Sequence, residues 1–205
     1  MKRTAEEAAA TRARVVEAAI LVFAGMGWKE ATYEAIGARA GVTRGAVHHH
    51  FRDKTRLLEE AISAGWRRHA APALSELSCM DRPPVQRLAG FLSLYLCLLS
   101  QDESFRALAV VSVLVAPQAV DVGEGMREKT RETDEWAALI IPLFESGAGV
   151  RAGLRPPDVL FAVMAFLRGV TATAATAPQD LPTPEASASI ARAVVAGLMQ
   201  DEEEW

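Results

Sequence analysis

Residues 32–60 read TYEAIGARAGVTRGAVHHHFRDKTRLLEE, and the reading of this stretch decides the fold. Thr32 puts a side-chain acceptor ahead of a short helical pattern, the preferred chemistry at a helix N-cap. Ile36 and Ala40 follow four apart and so share one face. Gly41 ends the pattern, because helices commonly stop on a residue of positive φ and glycine reaches it without a Cβ clash. Thr43 caps a second helix at once. Two helices joined by so tight a turn predict a helix-turn-helix, whose second helix reads the major groove of DNA.

The facing of that second helix follows from about 100° of rotation per residue. Val47 and Phe51 are its only large apolar residues and mark the buried side. His49 then points almost directly away from the core with Gly45 beside it, while His48 and His50 flank the apolar stripe on opposite edges. Gly45 and Ala46 are small enough for the backbone to approach a groove floor. Thr43, Arg44 and the imidazoles offer hydrogen bonds to phosphates or base edges. Thr32 and Tyr33, at the start of the preceding helix, join this candidate DNA-binding set. Arg52, Lys54 and Arg56 are placed to hold the phosphate backbone. The three histidines do not predict a metal site, since consecutive helix residues project in different directions and cannot converge on one ion. Polar groups lining a groove-reading face explain them more simply than a pH sensor does.

At these residues the chain resembles the TetR/AcrR family of bacterial transcription regulators. The resemblance covers residues 11–62: a first helix carrying Val15, Ala19 and Phe23, a turn at Gly27, the I-x-x-x-A-G-V of Ile36 to Val42, then T-R-G-A-V-x-x-H-F-x-x-K from Thr43 to Lys54. Two positions depart from the family pattern. His48 stands where an aromatic, most often Tyr, is usual, and Gly37 stands where Ala is common. Glycine inside a helix costs on the order of 1 kcal/mol relative to Ala.

The resemblance implies an all-α, TetR-like fold. A three-helix DNA-binding head would occupy residues 1–53, and a ligand-binding and dimerisation body residues 54–205, entered by a linker helix over about residues 54–78. It also implies a homodimer that binds double-stranded operator DNA as a transcriptional repressor and is released by a small hydrophobic or aromatic ligand, with no cofactor. The alternative is a ligand-binding or scaffold protein that keeps a degenerate head.

Length and charge fit this division. A chain of 205 residues, half of them apolar, can bury a sizeable core. The net charge of −4 is unevenly spread: 12 Lys/Arg against 8 Asp/Glu up to Arg68, and 10 against 18 beyond. Basic charge is thus concentrated in the head. No uninterrupted apolar run reaches the ~18 residues of a membrane span, and the N-terminus lacks the apolar stretch of a signal peptide. A cytoplasmic location is expected, in which Cys79 and Cys97 are reduced structural thiols.

Along the chain, residues 1–10 read as a solvated tail, with Lys2 and Arg3 as a possible arm toward DNA. The linker helix should kink or break at Pro72, and Pro83–Pro84 should start a helix carrying Leu88, Phe91, Leu92, Tyr95, Leu96 and Leu99. A helix from about Glu103 to Val115 is expected to stop before Pro117. After a polar stretch, MREKTRETDE, the residues Trp136, Ile140 and Phe144 recur at helical spacing with Pro142 bending the helix. Two long helices close the chain, from Pro157 to about Ala175 and from Pro184 to Met199, separated by the loop APQDLPTP.

In the body, Trp66, Phe91, Tyr95, Phe105, Trp136, Ile140, Phe144 and Met164 are candidates to line a ligand cavity; spacing does not separate that role from ordinary core. Val159, Val163, Phe166, Leu167 and Val170 on one terminal helix and Ile190, Val194, Val195 and Leu198 on the other are candidates for a four-helix dimer interface, against an intramolecular core. The resemblance favours the interface, and residues 169–181 resemble the AcrR drug-efflux branch. No catalytic motif is present, neither G-x-S-x-G, P-loop, dinucleotide fingerprint nor H-E-x-x-H, so no enzyme is expected.

Overall fold

The computed structural model describes residues 5–119, 136–145 and 149–200. These form an all-α protein; apart from helices the described backbone makes a single β-bridge, Val150 with Met199. The arm residues Lys2 and Arg3, the polar stretch at 126–135 and the acidic end at 201–204 lie outside the described residues.

The head comprises α1 (Ala5–Glu30), α2 (Tyr33–Ala40) and α3 (Arg44–His50). Residues 5–10, expected as a tail, are instead the first turns of α1, where Glu6 and Glu7 complement the helix dipole. The helix breaks at Gly27, with φ 76°. Then comes α4 (Lys54–His69), which ends at Ala70; Pro72 sits in the first turn of α5 (Ala71–Leu77), where a missing N–H costs nothing. The expected linker helix is therefore two helices. Pro84 opens α6 (Pro84–Gln101), and Asp102 caps α7 (Glu103–Val110) by accepting from the amides of Ser104 and Phe105.

Beyond α7 the helix does not stop before Pro117. It widens into a π turn at Val111–Val115 and continues as α8 (Ala116–Ala119). The wider turn relieves the clash that a proline ring makes with the carbonyl one α turn back. Residues 136–140 are helical and tighten at Pro142 into a 3₁₀ turn, Ile141–Phe144. The chain closes with α9 (Pro156–Thr176) and α10 (Pro184–Leu198), joined through a 3₁₀ turn at Pro178–Asp180. The last helix packs on α6, whereas α9 packs chiefly on α7. Arg151 fastens the end of α10, its Nε donating to the Met199 carbonyl at 3.2 Å.

Two apolar cores result. The head core gathers Val15, Ala19, Phe23, Ile36, Val47, Leu57 and Leu58, and also Leu108, Val111 and Val115 from the body. The head is thus seated on α4 and on the α7–π segment, and its core runs past the expected boundary at residue 53. The body core gathers α5, α6, α9, α10 and the 3₁₀ turn. Trp66 packs against both cores, and its indole Nε1 donates to Ser112 Oγ at 3.1 Å.

Candidate nucleic-acid interface

The turn between α2 and α3 is built as its residues dictate. Thr32 Oγ1 accepts from the Ala35 amide at 3.1 Å, and Thr43 Oγ1 accepts from the Ala46 amide at 3.2 Å. Gly41 takes φ 66° and ends α2. The Val42 amide then donates to the Gly37 carbonyl at 2.9 Å, folding the turn back onto the helix. Gly37 is buried beneath that turn, and a Cβ there would meet the Val42 carbonyl oxygen at 2.9 Å and the Arg44 nitrogen at 3.3 Å. Its glycine is therefore a requirement of close approach here, not simply a helix-weakening departure.

On α3, Val47 and Phe51 are buried as the facing argument requires, while Arg44, Gly45, His48 and His49 are exposed and Ala46 and His50 half-buried. His48 meets the Tyr33 ring edge-on at 5.9 Å, and His49 meets His50 at 5.5 Å. The exposed caps Thr32 and Thr43 accept from the backbone and keep their hydroxyl protons for donation. Thr32, Thr43, Arg44, Gly45, His48 and His49 thus share one polar, open face. The end of α3 is anchored: the Arg12 guanidinium lies 4.5 Å from the centre of the Phe51 ring and pairs with Glu60. Arg12 and Glu60 escaped the sequence reading because their meeting spans 48 positions, beyond any local periodicity.

Two residues of the expected set are placed differently. Lys54 does not stand free for a phosphate. Its ammonium donates to the Trp28 carbonyl at 2.6 Å and the Ala31 carbonyl at 3.1 Å, and lies 4.2 Å from the centre of the Trp28 ring. Burial lowers its pKa from the usual lysine value, against an opposing push from Glu30. It is a clip between the end of α1 and the start of α4. Tyr33 is half-buried, and its hydroxyl is shielded without a hydrogen-bond partner among the described residues. Burial, then the nearby Asp53 carboxylate, raises its pKa above the ordinary phenol value. Arg52 and Arg56 remain exposed at the edge of the face.

In the body the expected cavity wall is a packed aromatic cluster. Trp66 meets Phe105 and Trp136, Phe91 meets Trp136 and Tyr95, and Tyr95 meets Phe105, with ring centres 5.1–6.1 Å apart. Ile140, Phe144 and Met164 belong to the same core. Tyr95 Oη and Thr171 Oγ1 form a buried polar pair at 2.9 Å. These side chains fill one another's space. Clefts of about 500 and 350 Å³ open elsewhere, one along α1, α4 and α7 and one beside Met80, Leu139 and Pro142.

The terminal helices also need correction. Val159, Val163, Leu167 and Val195 are buried within the chain itself and so belong to the intramolecular core, not to a surface. Phe166, Val170, Val194 and Leu198 are half-buried against that core. The outward faces carry Ile190 and, unforeseen, Phe161, which is 75% exposed. By length and composition α9 is apolar enough to cross a membrane, with mean hydropathy 1.6. Here one side of it is core, and the other, with Phe161, Ala165 and Arg168 exposed, is uncovered among the described residues.

Residues 15–61 match the family of bacterial regulatory proteins, tetR family. The regulator SrpR of Pseudomonas putida is 43% identical over 63 residues, which span 31% of this chain and 30% of SrpR. The match therefore covers less than a third of that relative's length. Across the whole fold, NalD of Pseudomonas aeruginosa, the secondary repressor of the MexAB-OprM multidrug efflux pump, superposes with a TM-score of 0.74 at 23% identity, over 95% of this chain and 100% of NalD. SmeT, the repressor of the Stenotrophomonas maltophilia multidrug efflux pump SmeDEF, gives 0.66 at 26% identity over 93% of this chain and 91% of SmeT. A capped, anchored helix-turn-helix whose sequence matches the tetR family at residues 15–61, carried on a body that superposes on NalD and SmeT, is similar to the tetR-family regulators in sequence over the head and in fold throughout.

Proposed function

We propose that the chain is a homodimeric, sequence-specific DNA-binding repressor relieved by a small hydrophobic ligand, acting in the cytoplasm and without enzymatic activity. The observation that carries this reading is the face of α3: Arg44, His48 and His49 exposed on a helix whose opposite side is locked by Val47 and Phe51. NalD and SmeT are efflux-pump repressors, and a SmeT–triclosan complex of the same fold gives a TM-score of 0.67 at 25% identity. These relatives support an apolar or aromatic ligand here.

Dimerisation uses the uncovered sides of α9 and α10, where Phe161 and Ile190 lie, with Phe166, Val170, Val194 and Leu198 at its edge. Two recognition helices then meet successive major-groove half-sites about 34–36 Å apart, or a multiple of that. A ligand enters by prising open the aromatic cluster around Trp66, Phe91 and Tyr95. It releases DNA only by binding the non-matching spacing better than the matching one.

Selection of bound duplexes from a random pool tests the DNA half; an unspecific pool would favour a degenerate head. Titrating the selected complex with triclosan tests the other half. Release is expected, and operator DNA must then weaken triclosan binding by the same factor. Binding without release would remove the induced-repressor mechanism.

A further inference from the structure

Where head meets body, α1, α4 and α7 leave a cleft of about 500 Å³, floored by Val16, Ile20, Ala61, Ala64 and Leu108. That size suits a drug-sized molecule. The opening has a readable cause. Ala9 and Ala13 on α1 face Ala61 and Ala64 on α4, and side chains so small leave the space between the helices unfilled. Next to Ala64, by contrast, α4 and α7 touch so closely that a Cβ on Gly65 would sit 2.6 Å from Leu108 Cδ1.

Charged side chains bridge the mouth where apolar ones would otherwise close it. Arg12 of α1 pairs with Glu60 of α4, and Arg68 of α4 pairs with Glu17 of α1. Both pairs are substantially exposed, so parting them costs little. Two cations and two anions satisfy one another and leave no net sign to attract a charged guest. His69 and Ser104 at one end offer hydrogen bonds.

We propose that this cleft is a binding site for an uncharged, largely apolar small molecule with a single polar group, separate from the aromatic cluster of the body. The site requires neither DNA nor a second subunit. It also touches the recognition helix through one residue, because the Arg12 side chain at its rim lies over the Phe51 ring. A guest that parts Arg12 from Glu60 loosens that cover.

The test is a fluorescence titration of the full chain with N-phenyl-1-naphthylamine, a neutral probe that brightens in apolar surroundings. Two variants fill the cleft, Ala64→Leu and Ala13→Phe, the second at an exposed position that the fold does not depend on; Met80→Ser, at an exposed position beside the second cleft, is the control in the body. Wild type and Met80→Ser are expected to bind alike, with at least tenfold weaker binding in both cleft variants and unchanged helicity. No binding by wild type, wild-type binding by Ala13→Phe, or loss confined to Met80→Ser would each overturn the proposal. Operator binding without the probe is measured separately, so failure here leaves the repressor reading standing.

Discussion

At the scale of single residues, exposure separates side chains free to meet DNA from those already engaged. Arg44→Ala and His49→Ala remove groups that point away from Val47 and Phe51, so each is expected to weaken operator binding by about 1–3 kcal/mol with the melting temperature unchanged. Binding isotherms on specific and scrambled duplexes check this; wild-type selectivity in His49→Ala would contradict the assigned facing. Lys54→Ala is expected to behave in the opposite way. Charged hydrogen bonds to two carbonyls are lost from a partly exposed site, which should cost about 1–2 kcal/mol of stability, read in chemical denaturation. Its salt dependence of DNA binding should match wild type, whereas Arg52→Ala should flatten the slope by about 0.9. Sequence alone pointed to Lys54 as a phosphate contact because its role depends on the Trp28 and Ala31 carbonyls, more than twenty positions away.

At the scale of elements, the helix-turn-helix was legible because each of its signals is local. Thr32, Gly41 and Thr43 act within three residues of themselves, and Ile36, Ala40, Val47 and Phe51 lie one turn apart. Gly37 was the exception. Propensity favours Ala there by about 1 kcal/mol, yet its Cβ would press on the backbone of the turn that follows, and an overpacked site costs about 1–3 kcal/mol. Gly37→Ala should therefore destabilise the head, lowering the thermal midpoint; a rise would mean that the turn yields freely. The prolines were legible as punctuation but not in outcome. Pro72 begins a helix, Pro117 sits after a π turn and Pro142 tightens a turn into 3₁₀, because the packing around each decides how the missing N–H is accommodated.

At the scale of the whole molecule, periodicity identified the apolar faces of the last two helices but not which core they enter. Both helices are apolar around much of their girth, so the side bound to α6 and α7 and the side left open read alike in sequence. The structure separates them and yields opposite expectations. Val163→Asp places a charge in the body core and should unfold the chain, since an unpaired buried charge is costly. Phe161→Asp should leave a folded monomer. Sedimentation with circular dichroism distinguishes these, and a folded dimer of Phe161→Asp would remove that face of α9 from the interface.

The widened turn at Val111–Val115 stores a spare residue at the seam between head and body. Leu108, Val111 and Val115 follow one another at spacings of three and four, which at about 100° per residue keep one face toward the head core. A π turn holds one residue more than an α turn, so the extra residue is taken up within the turn and Val115 keeps its facing. Deleting Val113 should therefore leave Val115 against the head but tighten the turn, returning the Pro117 ring to the carbonyl one α turn back at a cost of about 3 kcal/mol; a melting temperature equal to wild type would contradict this. The spare residue is in this sense clearance, let into the helix for a ring that a regular turn has no room for.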